Sequence, residues 1–134
     1  MSDRSTLSQF GHVFQSKIIS SLLSDKKFIQ TISDILEYEY FDSDANKWIC
    51  KEIRDYFFEY KTIPTLEVMK VKIDDMENEV LQVSVVDNLK ESWRNVKSTD
   101  LKFVQEQTLE FCKNQVMKQA IMSSVDLIEV GQYD

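Results

Sequence analysis

Between residues 101 and 130 the chain contains neither glycine nor proline. Nothing there forces a turn, so the segment reads as one helix of about 30 residues, about 45 Å long at 1.5 Å per residue. A helix of that length needs cover for its apolar side chains, and here they are not confined to one side. Projected at about 100° per residue, Leu109, Val116, Ala120 and Leu127 share one face. Phe103, Phe111, Met117, Ile121, Val125 and Ile128 cover much of the other. A helix apolar nearly all round is buried on more than one side. One face can pack on the rest of this chain. The second needs another partner, either a later part of a longer chain or another subunit. Phe103, Phe111, Met117, Ile121 and Val125 are therefore candidate interface residues. Gly131 follows where a C-cap belongs, and the sequence stops at Asp134 without a solvating tail. Such an end reads as a boundary inside a longer protein.

The rest of the chain is helical by the same arguments. Two glycines and one proline in 134 residues are far below the about nine and seven that average usage predicts. Turn-rich β architectures are disfavoured, and an all-α domain is expected. A first helix spans residues 13–23, with Phe14, Ile18, Ile19, Leu22 and Leu23 as its stripe. Ser24-Asp25 breaks it and caps a second helix over residues 26–36, carrying Phe28, Ile29, Ile32, Ile35 and Leu36. Ser43 or Asp44 can cap a third helix. Its Ala45, Trp48, Ile49, Ile53, Tyr56, Phe57 and Tyr60 recur at helical spacing. Phe58 lies off that stripe, among the basic positions Lys47, Lys51, Arg54 and Lys61. It is either a ring resting on lysine stems or a partner contact. Pro64 disfavours helical dihedrals at Ile63 and so ends the third helix. Thr65 caps a fourth, with Leu66, Met69 and Ile73. An acidic segment, residues 74–79, reads as a solvated loop. A fifth helix covers residues 80–93 with Leu81, Val85, Leu89, Val86 and Trp93 inward. Residues 97–100 form a polar break before the long helix.

Chemistry is sparse. Asp42-x-Asp44-x-Asn46 begins like a calcium loop, but Lys47 and Ile53 stand where that loop needs glycine and glutamate. A helix cap with solvated acids is the simpler reading. His12 is the only histidine, and no metal-ligand spacing surrounds it. Cys50 and Cys112 lie far apart and in no CxxC pattern. Two buried thiols in a reduced, cytoplasmic protein are expected. No GxxxxGK[ST] phosphate loop occurs. The net charge of −7 argues against a dedicated DNA-binding domain. No apolar run approaches the ~20 residues that span a bilayer.

Order and pattern carry a resemblance. SKIISSLLSDKKFIQTISDIL resembles the opening two helices of the N-terminal domain of DnaB-type replicative helicases. YFDSDANKWICKEIRDYFFEYKTIPTLEVMK looks like the segment that follows there, in which a Pro-Thr precedes a further apolar position. The combination of Tyr40-Phe41-Asp42-Ser43, Tyr60 and Ile63-Pro64-Thr65 is most similar to helicases of T-even-like bacteriophages. The long helix is similar to the first arm of the hairpin that closes this domain. The similarity covers residues 14–134, and no single motif in it is diagnostic.

The resemblance implies a flexible lead at residues 1–12, a globular helical head at 13–98 and a hairpin arm at 99–134. It implies a parent hexameric ring that moves 5′→3′ on single-stranded DNA. ATP and Mg²⁺ would be held in a RecA-like domain outside this sequence, so this segment is expected to be neither an enzyme nor a cofactor binder. The N-terminal domain would form a collar through self-association, as a dimer, a trimer of dimers or a hexamer. It would also dock primase and, in some systems, a helicase loader. No membrane is involved, and the setting would be the cytoplasm of an infected bacterium. The other reading is a stand-alone helical adaptor, such as a loader or a phage protein that binds a host protein.

Overall fold

The computed structural model describes residues 5–131, with side chains through residue 126. The fold is all-α: six helices, with no strand among the described residues. They are α1 His12–Ser24, α2 Lys26–Ile32, α3 Asp44–Tyr60, α4 Leu66–Asp74, α5 Glu79–Arg94 and α6 Leu101–Gly131.

Capping chemistry sets the starts. Asp25 accepts from the amides of Lys27 (3.0 Å) and Phe28 (3.2 Å) and opens α2. Ser43, rather than Asp44, caps α3 through Asn46 N–H at 3.1 Å. Thr65 caps α4 through Val68 N–H at 3.2 Å. Asn78 caps α5 through Leu81 N–H at 3.0 Å. Each satisfies an amide that the first helical turn leaves free. Residues 74–79 are therefore not one loop, since Asp74 closes α4 and Glu79 opens α5. Helix α3 ends where Lys61 takes a left-handed conformation at φ 61° and returns its N–H to Phe57 at 2.8 Å. That position favours glycine, and this glycine-poor chain fills it with lysine.

Helix α2 is shorter than the apolar pattern predicts. It stops at Ile32, and the amides of Ile35 and Leu36 both turn back to the Ile32 carbonyl. Ser33 and Asp34 follow Ile32, and such side chains favour turns over helix interiors. Leu36 is still fully buried, so the turn alters the path of the chain without removing the side chain from the core.

Helix α1 is the axis of the head. It packs against α2, α3, α5 and α6. Ile18, Ile19 and Leu22 are fully buried on it, and so are Ser16, Ser20 and Ser21. The expected stripe is thus only part of the buried surface. Serines on the remaining side let neighbouring backbones come close. Ser20 Oγ donates to the carbonyl of Ser16 at 3.0 Å and to that of Ser92 on α5.

The amino-terminal segment is built into this core, which corrects the expectation of a flexible lead through residue 12. Residues Leu7–Phe10 form a 3-10 turn capped by Thr6, and Leu7 is fully buried. Phe10 stacks on Phe14 with ring centroids 4.5 Å apart. Gln15 ties the turn down. Its Nε2 donates to the carbonyls of Leu7 (3.3 Å) and Gly11 (3.2 Å) and to Asp42 Oδ2 (2.9 Å). Its Oε1 accepts from the Asp42 amide at 3.0 Å. The expectation for residues 1–4 lies outside the described residues.

Helix α6 meets α1 and α2 along Val104, Thr108, Phe111, Cys112 and Gln115. That packing line follows neither of the two faces predicted from apolar spacing. Two of its members, Thr108 and Gln115, are polar and do not register in a hydrophobic pattern. Thr108 satisfies its hydroxyl on the Val104 carbonyl at 2.7 Å, one turn back in the same helix. Phe111 is only 6% exposed. It stands edge-on to Tyr40 at 5.2 Å and to Phe10 at 6.1 Å between centroids. Its assignment to a partner interface is therefore corrected: within this chain it is a core residue. Phe111→Ala is expected to lower the unfolding free energy by about 3–5 kcal/mol. Phe103→Ala, at an exposed site, should stay within about 0.5 kcal/mol. Urea titration followed by circular dichroism reads both.

Candidate interaction surfaces

The six interface candidates separate into four environments. Phe111 is in the core. Phe103 is 59% exposed near the start of α6, where the helix lies against the head. Met117 (60%) and Ile121 (56%) are open to solvent beyond it, and Val125 is exposed on the same side. Residues 114–126 are all exposed except Gln115, and Val116 and Met122 add apolar surface on other sides of the same segment. The long helix thus has two regimes. Its first four turns are half-sunk in the head. Its remainder, through residue 126, carries apolar side chains that are exposed among the described residues. The Leu127 and Ile128 side chains lie outside the described residues.

Phe58 is 39% exposed on α3. The Arg54 guanidinium lies 5.5 Å from its ring centroid, close enough for a cation–π contact. Arg54 also reaches Glu37 at 3.5 Å. The ring thus rests on arginine rather than on lysine stems, and its outer part stays exposed. The aromatic stripe of α3 also divides. Ile49, Ile53 and Phe57 are buried, Trp48 and Tyr56 are half-buried, and Tyr60 is exposed beside Tyr56 at 4.5 Å.

Trp93 was expected inward and is not. Ser92 takes the buried position at the end of α5, and its carbonyl receives the Ser20 hydroxyl. Trp93 is turned outward toward Leu66 and Pro64, across the link between α3 and α4. At about 100° per residue Ser92 lies nearer the centre of the Leu81, Val85 and Leu89 side than Trp93 does, but serine does not register in an apolar pattern and tryptophan does.

The acids that began like a calcium loop serve the fold. Asp42 accepts from Gln15 and from the Ser8 hydroxyl, and the Asn88 amide donates to Ser43 Oγ and Asn46 Oδ1, both at 3.3 Å. Among the described residues no group of three or more His, Cys, Asp or Glu is placed to hold a metal ion. His12 meets Glu91 at 3.0 Å on the surface. Lys17 reaches Asp100 at 2.8 Å, which fastens α1 to the residue before α6 and holds the Asp100 carboxyl below its ordinary value.

Both cysteines are free and buried. Burial pushes the Cys50 thiol up to about 12, against a smaller opposing pull from Arg54. Burial, with a lesser contribution from Glu37, pushes Cys112 up to about 12 as well. A thiol reacts as its thiolate, so neither is suited to nucleophilic or redox chemistry.

Comparison of the chain with protein-family models, with curated proteins and with solved structures finds no match. The surfaces have to be interpreted from their own chemistry.

The thiols yield a direct check. At pH 8 iodoacetamide should leave Cys50 and Cys112 unmodified in the folded protein and label both in urea, as mass spectrometry would report. The folded thiols keep their protons above 9.0, where unfolded thiols release theirs. Stability should therefore fall as pH rises from about 9 toward 12, with the unfolding midpoint moving to lower urea.

Proposed function

We propose that this chain is the N-terminal interaction domain of a DnaB-type replicative helicase of the phage kind. On this reading the head is a rigid mount, and the outer part of α6 pairs with the corresponding arm of another subunit to build a collar. The observation that carries it is the uncovered apolar length of α6. Met117, Ile121 and Val125 line one side of a helix that has already left the head, with Val116 and Met122 beside them. Isolated exposed apolar residues are ordinary, but a contiguous run of them marks an interaction site. A second helix of the same kind is a fitting cover, because helices bury such rows against each other as ridges in grooves.

The domain would act by binding rather than by catalysis. Helicase action needs a nucleotide, and the two glycines, Gly11 and Gly131, stand in no phosphate-binding loop. ATP and Mg²⁺ would belong to a RecA-like domain beyond this sequence. Primase and a loader would dock on the assembled collar, and single-stranded DNA would be held by the ring as a whole.

Light scattering over a concentration series tests the reading. The chain should show a mass above the monomer. Ile121→Asp should return it to the monomer with helical content unchanged, because residue 121 is outside the core. A wild-type chain that stays monomeric at every concentration would overturn collar pairing through α6. A reading frame that stops after codon 134 would overturn the helicase assignment and favour the stand-alone adaptor.

A further inference from the structure

The outward turn of Trp93 creates a groove that the α6 reading does not use. An inner cavity of about 270 Å³ is lined by Leu66, Leu89, Lys90, Trp93 and Arg94. An outer one of about 520 Å³ shares Leu66 and Trp93 with it and runs on to Ile63, Pro64 and Glu67. The inner space lies just under the about 300–1,000 Å³ of small-molecule sites. It suits one side chain better than a whole cofactor. Trp93 and Leu66 leave apolar surface open across the groove, with Leu89 at its floor.

The charge at its rim says what kind of partner fits. This chain has 23 acidic and 16 basic residues, so a surface cation has many carboxylates within its own chain to pair with. Lys17, Lys51, Arg54 and Lys72 do so, whereas most of the other described lysines and arginines do not. Lys90 and Arg94 make no ion pair or hydrogen bond among the described residues. They stand four residues apart on the same face of α5, where like charges repel, with Asp87 and Glu91 each three residues before one of them as the nearest acids along the helix. The helix dipole favours a cation in the last turn and so accounts for Arg94. It does not account for Lys90 a turn earlier, nor for a tryptophan held out between them. A carboxylate arriving from outside would relieve the repulsion and form charge-assisted hydrogen bonds with both.

We infer that this groove binds an acidic peptide segment of a partner protein, seating one bulky apolar side chain against Trp93, Leu66 and Leu89 and placing flanking carboxylates on Lys90 and Arg94. Glu67 at the outer end orients the segment, because it repels acids there and directs them to the α5 rim. Nucleic acid fits less well. A strand needs successive phosphate contacts and several stacking rings, and this groove offers two cations, one ring and a carboxylate. The inference does not rest on collar pairing, since the groove lies on α4 and α5 and the pairing surface on α6.

Fluorescence anisotropy of the full chain with a labelled peptide, one phenylalanine flanked by aspartates, tests it. Saturable binding is expected, weaker at high salt. It should be lost when alanine replaces the phenylalanine or lysines replace the aspartates. Lys90→Glu with Arg94→Glu should weaken binding at least about tenfold, and so should Trp93→Ala. Circular dichroism should be unchanged and the mass in light scattering unaltered, which separates this site from α6. If charge reversal disturbs the fold, Lys90→Gln with Arg94→Gln replaces it. The quenching of Trp93 emission in a Trp48→Phe background then reads occupancy directly. Absence of saturable binding, equal binding by the groove variants, or equal binding of the lysine peptide would overturn the inference. Displacement of the peptide by oligothymidylate through the same residues would overturn it in favour of a nucleic-acid surface.

Discussion

The architecture depends on α1 being buried on nearly all sides. A helix can occupy the centre of a small bundle only if its neighbours approach on every face. Isoleucine and leucine fill the wide gaps, and serine permits the narrow ones. Ser16, Ser20 and Ser21 are buried without bulk, and Ser20 meets the Ser92 carbonyl of α5 directly. A buried hydroxyl carries a desolvation cost. The bonds of Ser20 to the Ser16 and Ser92 carbonyls offset it there, whereas the Ser16 and Ser21 hydroxyls have no hydrogen-bond partner among the described residues. Close contact between α1 and α5 sets where α5 ends, and so which of Ser92 and Trp93 is inside.

From that axis the two ends of the chain are placed. The amino-terminal turn is held on α1 by Gln15, whose amide serves both the turn and Asp42 before α3. One buried side chain thus joins segments that are 27 residues apart. The first turns of α6 close the other side through Phe111, which meets Phe10 and Tyr40 edge-on. Removing this aromatic contact would loosen the amino-terminal turn and the long helix together. Beyond Gln115 the described side chains of α6 are exposed, and the apolar ones among them become surface.

Two surfaces with different chemistry result. The outer length of α6 is broad and mainly apolar along Met117, Ile121 and Val125, with Lys118 beside them, as suits a large complementary helix. The Trp93 groove is smaller, open to solvent and edged by Lys90 and Arg94, as suits a single side chain with acids beside it. They belong to different elements, so a protein of this shape can assemble through one and recruit through the other without competition.

Much of this was legible in the sequence. The helical class, the caps at Asp25, Thr65 and one of Ser43 or Asp44, the stop before Pro64 and the uninterrupted last helix follow from local chemistry: backbone amides, proline sterics and glycine scarcity act within a few residues. Exposure at Met117, Ile121 and Val125 was also anticipated, because apolar residues exceeded what one face could bury. What the sequence could not decide was which face of α6 packs. That was settled by Thr108 and Gln115, polar residues whose burial depends on partners distant in the chain. Phe111 therefore moved from surface to core, and Leu7 and Phe10 from a loose lead into the packing. Trp93 moved the other way, out to the surface. Local pattern determines whether a residue can be buried, and only the tertiary contact determines whether something is there to bury it.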